Sequence, residues 1–209
     1  MHMIKIKICG ITNATDAQLA AKLGADALGF NFYPESPRFV QRERVRAIIA
    51  SLPPFVVPVG IFVDEDPVIV RETCSFCGIR VVQLHGDEAP SVVGVLRMFK
   101  IIKAFRIRGE RDLGQLRRYD VDAFLLDAYV SGLRGGTGST FNWDLAKTVS
   151  GGVPIIVAGG LNPDNVGEAI KALNPYGVDV CGGVEAEPGK KDRVLLRRFI
   201  QEARQASPT

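Results

Sequence analysis

Apolar and polar positions along the chain switch repeatedly between two periods. Short β-branched runs of period two are followed by longer stretches of period 3.6, the alternation of strand and helix. The first run, ending at Cys9, puts Ile4, Ile6 and Ile8 on one face and Lys5, Lys7 and Cys9 on the other. That pattern suits the first strand of a barrel. Its isoleucines would pack outward on helices, its lysines would point inward, and its thiol would stand at the carboxyl end. It equally suits an edge strand with solvated lysines and a small buried cysteine.

The same switching continues without a linker-like break. A helix over 13–23 has Asn13 or Thr15 as its cap and Gly24 as its stop. A strand over 26–32 opens into a loop rich in turn residues at 33–38, followed by a helix over 42–51. Strands follow at 57–63, 81–84 and 100–105, separated by helices ending near Cys77 and Met98, with Gly78 as one stop. A weak helix over 110–118 leads to a strand over 123–126 ending at Asp127. A long glycine-rich loop and a helix from Trp143 come next. Strands over 154–158 and 178–181 end in Gly159-Gly160 and Gly182-Gly183. The helix between them is expected to start near Pro163, a favoured first position, and the last helix covers 191–205.

Eight strand–helix units in strict alternation imply a parallel sheet with right-handed crossovers. Eight units close as an α/β, single-domain (β/α)8 TIM barrel over 1–209. A doubly wound open sheet is the alternative, but its usual GxGxxG fingerprint is absent from the first turn.

Composition narrows the partners. The apolar fraction of 46% supports a full core, and a net charge of +3 is too slight to argue for nucleic acid. No apolar run approaches a membrane span. The four cysteines lack a secreted disulfide spacing, which makes a reducing cytoplasm the expected compartment. Cys74-Ser-Phe-Cys77 is a lone CxxC without a second ligand pair and reads better as two cysteines on a helix than as a zinc or redox motif. With His2 and His85 as the only histidines, no multi-histidine metal site can form.

Potentially chemical residues gather at strand carboxyl ends, where a barrel keeps its active site. Two glycine pairs close the last two strands, the usual phosphate position of this architecture, because glycine lets backbone N–H groups approach an anion. Asp127 ends the apolar strand Phe124-Leu125-Leu126 and is expected to be partly desolvated, as suits a general acid. Lys7 is its candidate partner across the interior. Arg38, between Pro37 and Phe39, is either a carboxylate-binding fork or a solvated surface arginine. His85 is either a substrate-orienting group or a structural histidine, and the loop Gly135 to Phe141 is either a lid or a plain connector.

Together these residues resemble the phosphoribosylanthranilate isomerase family. The matching pieces are KICGIT (7–12), GFNFYPESPRFV (29–40), VGIFVDE (59–65), VQLHGDE (82–88), LLDA (125–128), GGTGSTFNW (135–143), AGGLNPDNV (158–166) and VDVCGGVEAEPGKKD (178–192). The resemblance implies a cofactor-free aldose–ketose (Amadori) isomerisation of a small phosphorylated substrate in tryptophan biosynthesis. It puts the general base on Cys9 and the general acid on Asp127. Arg38 would meet the anthranilate carboxylate, and Asp179 the sugar hydroxyls. His85 and Gly159 join the substrate-binding set, and the phosphate would rest on backbone at Gly160 and at Gly182, Gly183, Val184 and Glu185. No metal, nucleic acid or membrane is implied, and monomer and homodimer both stay open. The family commonly has two serines where this chain has Cys181-Gly182, so a side-chain hydroxyl contact is lost. It commonly has aspartate at Asn142, a milder change because either residue caps a helix. A thiol of ordinary pKa is only a few per cent ionised at pH 7, so Cys9 is expected to be activated by Lys7 or by the substrate's iminium. The alternatives are a histidine-pathway type phosphosugar isomerase, which resembles a pair of aspartates instead, and a non-catalytic phosphate-ligand-binding barrel.

Overall fold

A computed structural model of the chain describes residues 3–107, 110–128 and 147–206. The strands are β1 (Lys5–Ile8), β2 (Ala27–Asn31), β3 (Val57–Phe62), β4 (Val81–Leu84), β5 (Lys100–Ile107), β6 (Ala123–Ala128), β7 (Ile155–Ala158) and β8 (Gly177–Val180). All eight pair in parallel with their sequence neighbours, and β8 closes onto β1. The fold is therefore a closed (β/α)8 barrel. Its helices are α1 (Ala14–Leu23), α2 (Arg42–Ala50), α3 (Pro67–Cys77), α4 (Pro90–Val95), α5 (Glu110–Leu113), α6 (Val166–Leu173) and α7 (Arg193–Gln205).

The pleat of β1 sorts its residues as the alternation requires. Ile4, Ile6 and Ile8 are buried among helix residues such as Ala17, Ala20, Phe199 and Ala203, which together form the layer between barrel and helices. Each such isoleucine contributes roughly 1.5–3 kcal/mol of transfer free energy. A second, smaller cluster fills the barrel itself: Val59, Ile102, Ala104, Ala123, Leu125, Ile156 and Ala158. Only one of the two β1 lysines enters the interior. Lys7 is buried, whereas Lys5 lies at the amino-terminal mouth with its ammonium in solvent, 3.4 Å from Asp26.

Helix ends follow local chemistry. The Asn13 side chain accepts from the Asp16 N–H at 2.8 Å, and Gly24 stops α1 in the left-handed region. Asp66 caps α3 with Pro67 as its first residue. The helix expected from Pro163 starts later, at Val166. Asn162 and Asn165 divert the chain into a turn, the Asn165 side chain accepting from the Asn162 N–H and donating to the Gly160 carbonyl. The weak helix over 110–118 splits into α5 and a 3-10 turn at Leu116–Arg118. The α4 helix ends at Val95, short of Met98. After β8 comes an antiparallel hairpin that the period-two signal was too short to reveal, β9 (Glu185–Glu187) with β10 (Lys190–Lys191). The glycine-rich loop and the start of the Trp143 helix lie outside the described residues; 147–149 are helical. Among the described residues no helix is long and apolar enough to cross a membrane.

Candidate active site

Parallel strands with a two-residue pleat send alternate side chains into the barrel, and the last inward residue of each strand forms the floor of its carboxyl mouth. There lies a cleft of about 570 Å³, within the range that holds a small organic phosphate. Cys9, Arg38, His85, Asp127 and Asp179 all line it, as do Gly159, Gly160, Gly182 and Gly183. Val184 does not, because its side chain turns down into the outer core and is fully buried. Glu185 stands behind the wall, bonded to Arg38. The wall also includes Asn31, Arg106 and Cys181, which the reading of the sequence had not singled out as site residues. Asn31 and Arg106 could have been found from the pleat, since each shares the inward face of its strand's carboxyl end.

Lys7 finds its carboxylate one strand away. Its Nζ donates to Asp179 Oδ1 at 2.9 Å, both side chains being buried. The expected pairing of Lys7 with Asp127 is not made, because β1 and β8 are direct neighbours with Lys7 opposite Asp179. Burial pulls the Lys7 pKa down, but the attraction of Asp179 and of the Cys9 thiolate outweighs it and the net direction is upward. Lys7 therefore stays a cation under the cleft floor.

Cys9 stands just above that cation. Its N–H donates to the Val180 carbonyl at 2.8 Å, continuing the β1–β8 ladder and setting Cys9 beside Cys181. The Cys9 thiol is lowered from an ordinary 9.0 to about 7, first by a hydrogen bond from Cys181, against the cost of burial, and then by the Lys7 charge. The activation expected from Lys7 is thus present, with Cys181 as the larger contributor.

Arg38 reaches the cleft from the loop after β2. Its Nε and Nη2 donate to Glu185 at 2.9 Å and 2.6 Å, a forked pair whose hydrogen bonding raises the Arg38 pKa further. Lys191 Nζ reaches the same carboxylate at 2.9 Å. Burial pushes Glu185 toward the neutral form, but these two cations hold it below the ordinary carboxylate range. Glu185 thus locks the guanidinium in place, and the Nη1 edge, unused in that pair, stays available to an anion.

Across the cleft, Asp127 Oδ2 lies 3.8 Å from His85 Nε2. The Gln83 side-chain amide meets His85 Nδ1 at 2.7 Å, which orients the ring so that Nε2 faces Asp127. The Asp127 side chain keeps 35% of its exposure, so the desolvation expected from its apolar strand does not extend to the carboxyl group. Alternation explains this: Phe124 and Leu126 face the outer core, while Asp127 ends the inward face.

The two glycine turns meet at the remaining side of the mouth. Gly159 and Gly160 both take positive φ, which turns their backbone upward at the end of β7. Gly183 packs so closely on the neighbouring turn that a Cβ there would lie 1.9 Å from the Leu161 carbonyl oxygen. Any side chain at Gly183 would push the two turns apart. Among the described residues no group of three or more histidine, cysteine or acidic side chains is placed to hold a metal ion.

A closed parallel barrel that gathers a thiol, a carboxyl group, a fixed arginine and two glycine turns around one cleft at its carboxyl mouth has the arrangement of a (β/α)8-barrel enzyme. Comparison with known proteins narrows the class. The family model described as N-(5'phosphoribosyl)anthranilate (PRA) isomerase matches residues 6–202. The chain is 50% identical over 202 residues to an N-(5'-phosphoribosyl)anthranilate isomerase of Geobacter sulfurreducens, covering 97% of this chain and 99% of that one. It resembles the crystal structure of phosphoribosyl anthranilate isomerase from Thermotoga maritima with a TM-score of 0.86 at 40% identity, covering 97% and 100% of the two chains. A phosphoribosyl anthranilate isomerase structure in complex with reduced 1-(o-carboxyphenylamino)-1-deoxyribulose 5-phosphate matches with a TM-score of 0.85 at 38% identity, over 97% and 100%. The chain belongs to the N-(5'-phosphoribosyl)anthranilate isomerase family.

Proposed function

We propose that this isomerase converts N-(5-phosphoribosyl)anthranilate to 1-(2-carboxyphenylamino)-1-deoxyribulose 5-phosphate with Cys9 as general base and Asp127 as general acid. The observation that carries this reading is the sharing of one cleft by a thiol lowered to about 7 and a carboxyl group on the far side of the mouth. Asp127 gives a proton to the ribose ring oxygen. The C1–O bond then breaks as the anthranilate nitrogen lone pair forms a C=N bond, leaving an iminium. That cation makes the C2 hydrogen acidic, and the Cys9 thiolate removes it. The electrons of the C–H bond form C1=C2 and neutralise the nitrogen. The resulting enol then tautomerises, losing its O–H proton and gaining one at C1, to give the ketone.

The other residues bind and orient. The Nη1 edge of Arg38 suits the anthranilate carboxylate, with its guanidinium already fixed by Glu185. The glycine turns at Gly159, Gly160, Gly182 and Gly183 suit the phosphate, with Val184 and Glu185 contributing backbone rather than side chains. Asp179 Oδ2, the oxygen outside the Lys7 ion pair, suits a sugar hydroxyl. His85, whose Nε2 lies 3.8 Å from Asp127 Oδ2, suits a substrate-orienting role beside it.

The test is loss of anthranilate fluorescence with substrate generated in situ. Wild type should turn over, and Cys9→Ser and Asp127→Asn should each lose about 10²–10⁴-fold in kcat while still binding a product analogue. Turnover by Cys9→Ser close to wild type would remove Cys9 from the base role. An inactive wild type would point instead to the histidine-pathway substrate.

A further inference from the structure

Three features outside the acid–base pair stand out. They are the buried Lys103–Glu88 pair beneath the loop after β4, the apolar residues Phe55 and Val57 exposed near the amino-terminal mouth, and Cys181. The first is closed on itself, with Lys103 and Glu88 both satisfied by nearby backbone. Nothing on the second says what covers it. Cys181 is different, because it stands on the neighbouring strand beside the group that the mechanism needs ionised.

The barrel closure makes the contact. β1 and β8 pair with Ile8 opposite Val180, so the next inward residues, Cys9 and Cys181, are side by side although 172 positions separate them. A Cβ built on Gly10 would lie 2.9 Å from Cys181 Sγ, which locates that sulfur directly against the turn leaving β1. The Cys181 S–H has Glu185 Oε1 as an acceptor at a long 3.8 Å, and Cys9 stands beside it across the β1–β8 seam on the same cleft wall. Glu185 is already supplied with protons by Arg38 and Lys191. A thiolate at Cys9 has more to gain from one further donor than that carboxylate does.

We propose that Cys181 is a positioning residue that acts through Cys9, its S–H turning from Glu185 to the Cys9 sulfur and stabilising the thiolate that takes the C2 proton. The inference rests on Cys9 being the base. The charge environment agrees. Cys9 is lowered first by this hydrogen bond, ahead of Lys7, while Cys181 itself is pushed up by donating to Cys9, by burial and by the neighbouring charge. The other charges facing Cys9 are Asp179 on β8, Lys191 on β10 and Arg38, with Arg106, His85 and Asp127 across the cleft. Those groups stay in place when Cys181 alone is changed.

The experiment measures the pH dependence of Cys9 alkylation by iodoacetamide, read on the Cys9 peptide by mass spectrometry, in wild type, Cys181→Ala and Cys181→Ser kept reduced. Cys181→Ala should move the midpoint upward by about one pH unit, which is roughly a tenfold loss of thiolate below pH 6. Cys181→Ser retains an O–H donor and should keep most of the wild-type midpoint. In parallel, kcat of the alanine variant should fall about tenfold at pH 6 and approach wild type above pH 9, with KM little changed. A midpoint that Cys181→Ala leaves in place overturns the inference, as does a raised KM at every pH with the midpoint unmoved, the signature of a phosphate contact. A shifted midpoint in a protein whose Cys9→Ser variant still turns over would support the thiol pair and sink only the assignment of Cys9 as base.

Discussion

The chain contains two pairs of cysteines, and they teach opposite lessons about burial. Cys74 and Cys77 lie one helical turn apart on α3, facing the layer between helices and barrel. Desolvation pushes their thiols up to about 12 and about 11. Cys9 and Cys181 lie in different thirds of the sequence and meet only because the barrel closes. Cys9 is partly buried in the cleft wall, yet it is lowered to about 7, because a thiol donor and the Lys7 ammonium lie beside it. Burial by itself suppresses a thiolate. Burial together with a donor and a cation stabilises one.

The largest consequence is in reactivity. At pH 7 the lowered Cys9 thiol is far more ionised than the two raised thiols of α3. Alkylation of the native protein should therefore label the Cys9 peptide faster than the α3 peptide by more than about 100-fold, and 6 M urea should abolish the difference. Comparable labelling of the two peptides in the native state would erase the contrast.

Lys7 tests the contrast from the side of the cation. Lys7→Met leaves Asp179 buried without its partner, which should cost about 3–5 kcal/mol in urea unfolding at pH 7. It should also move the Cys9 alkylation midpoint upward, since a lowering charge is gone. The double variant Lys7→Met with Asp179→Leu should regain most of the stability, because no unpaired charge remains. Its midpoint should stay above wild type, as Lys7 acts on Cys9 more strongly than the opposing Asp179 does. A Lys7→Met protein as stable as wild type would show that the pair bears no load.

What was legible in the sequence divides along the same line as the cysteines. Period-two and period-3.6 patterns are local, and they located eight strands and the inward direction of Lys7, Cys9 and Asp127. Clustering at strand carboxyl ends drew Arg38, His85 and the glycine turns to one mouth, resemblance to a family added Asp179, and all of them line the cleft. Pairings that depend on closure were not legible. Lys7 was matched to Asp127 rather than Asp179 because a list of inward residues does not say which strands touch. Cys181 registered only as a missing hydroxyl, since its value lies in being opposite Cys9. Local polar competition hid the rest: Asn162 and Asn165 delay α6, and β9 and β10 are too short for any period to register.

The smallest effect separates the two pairs by sign. Cys74→Ala deletes one buried sulfur from the outer core and should cost about 1 kcal/mol at pH 7, with kcat unchanged, because Cys74 packs in the outer core and does not line the cleft. Its dependence on pH is more telling than its size. The native Cys74 thiol titrates near 12, whereas an unfolded thiol titrates near 9.0, so raising the pH past 9 lets the unfolded chain release a proton that the native state holds. Wild type loses that increment of stability and the alanine variant does not, so the deficit of Cys74→Ala should shrink above pH 9. Cys9 runs the other way. Its native thiol is depressed to about 7, so it adds stability that is complete above pH 9 and is lost as the pH falls through 7. The deficit of Cys9→Ala should therefore be greatest at high pH and fade toward pH 6. Urea titrations of both variants at pH 6, 8 and 10 should give slopes of opposite sign, and slopes of the same sign would mean that the two pairs do not differ in how they hold a proton.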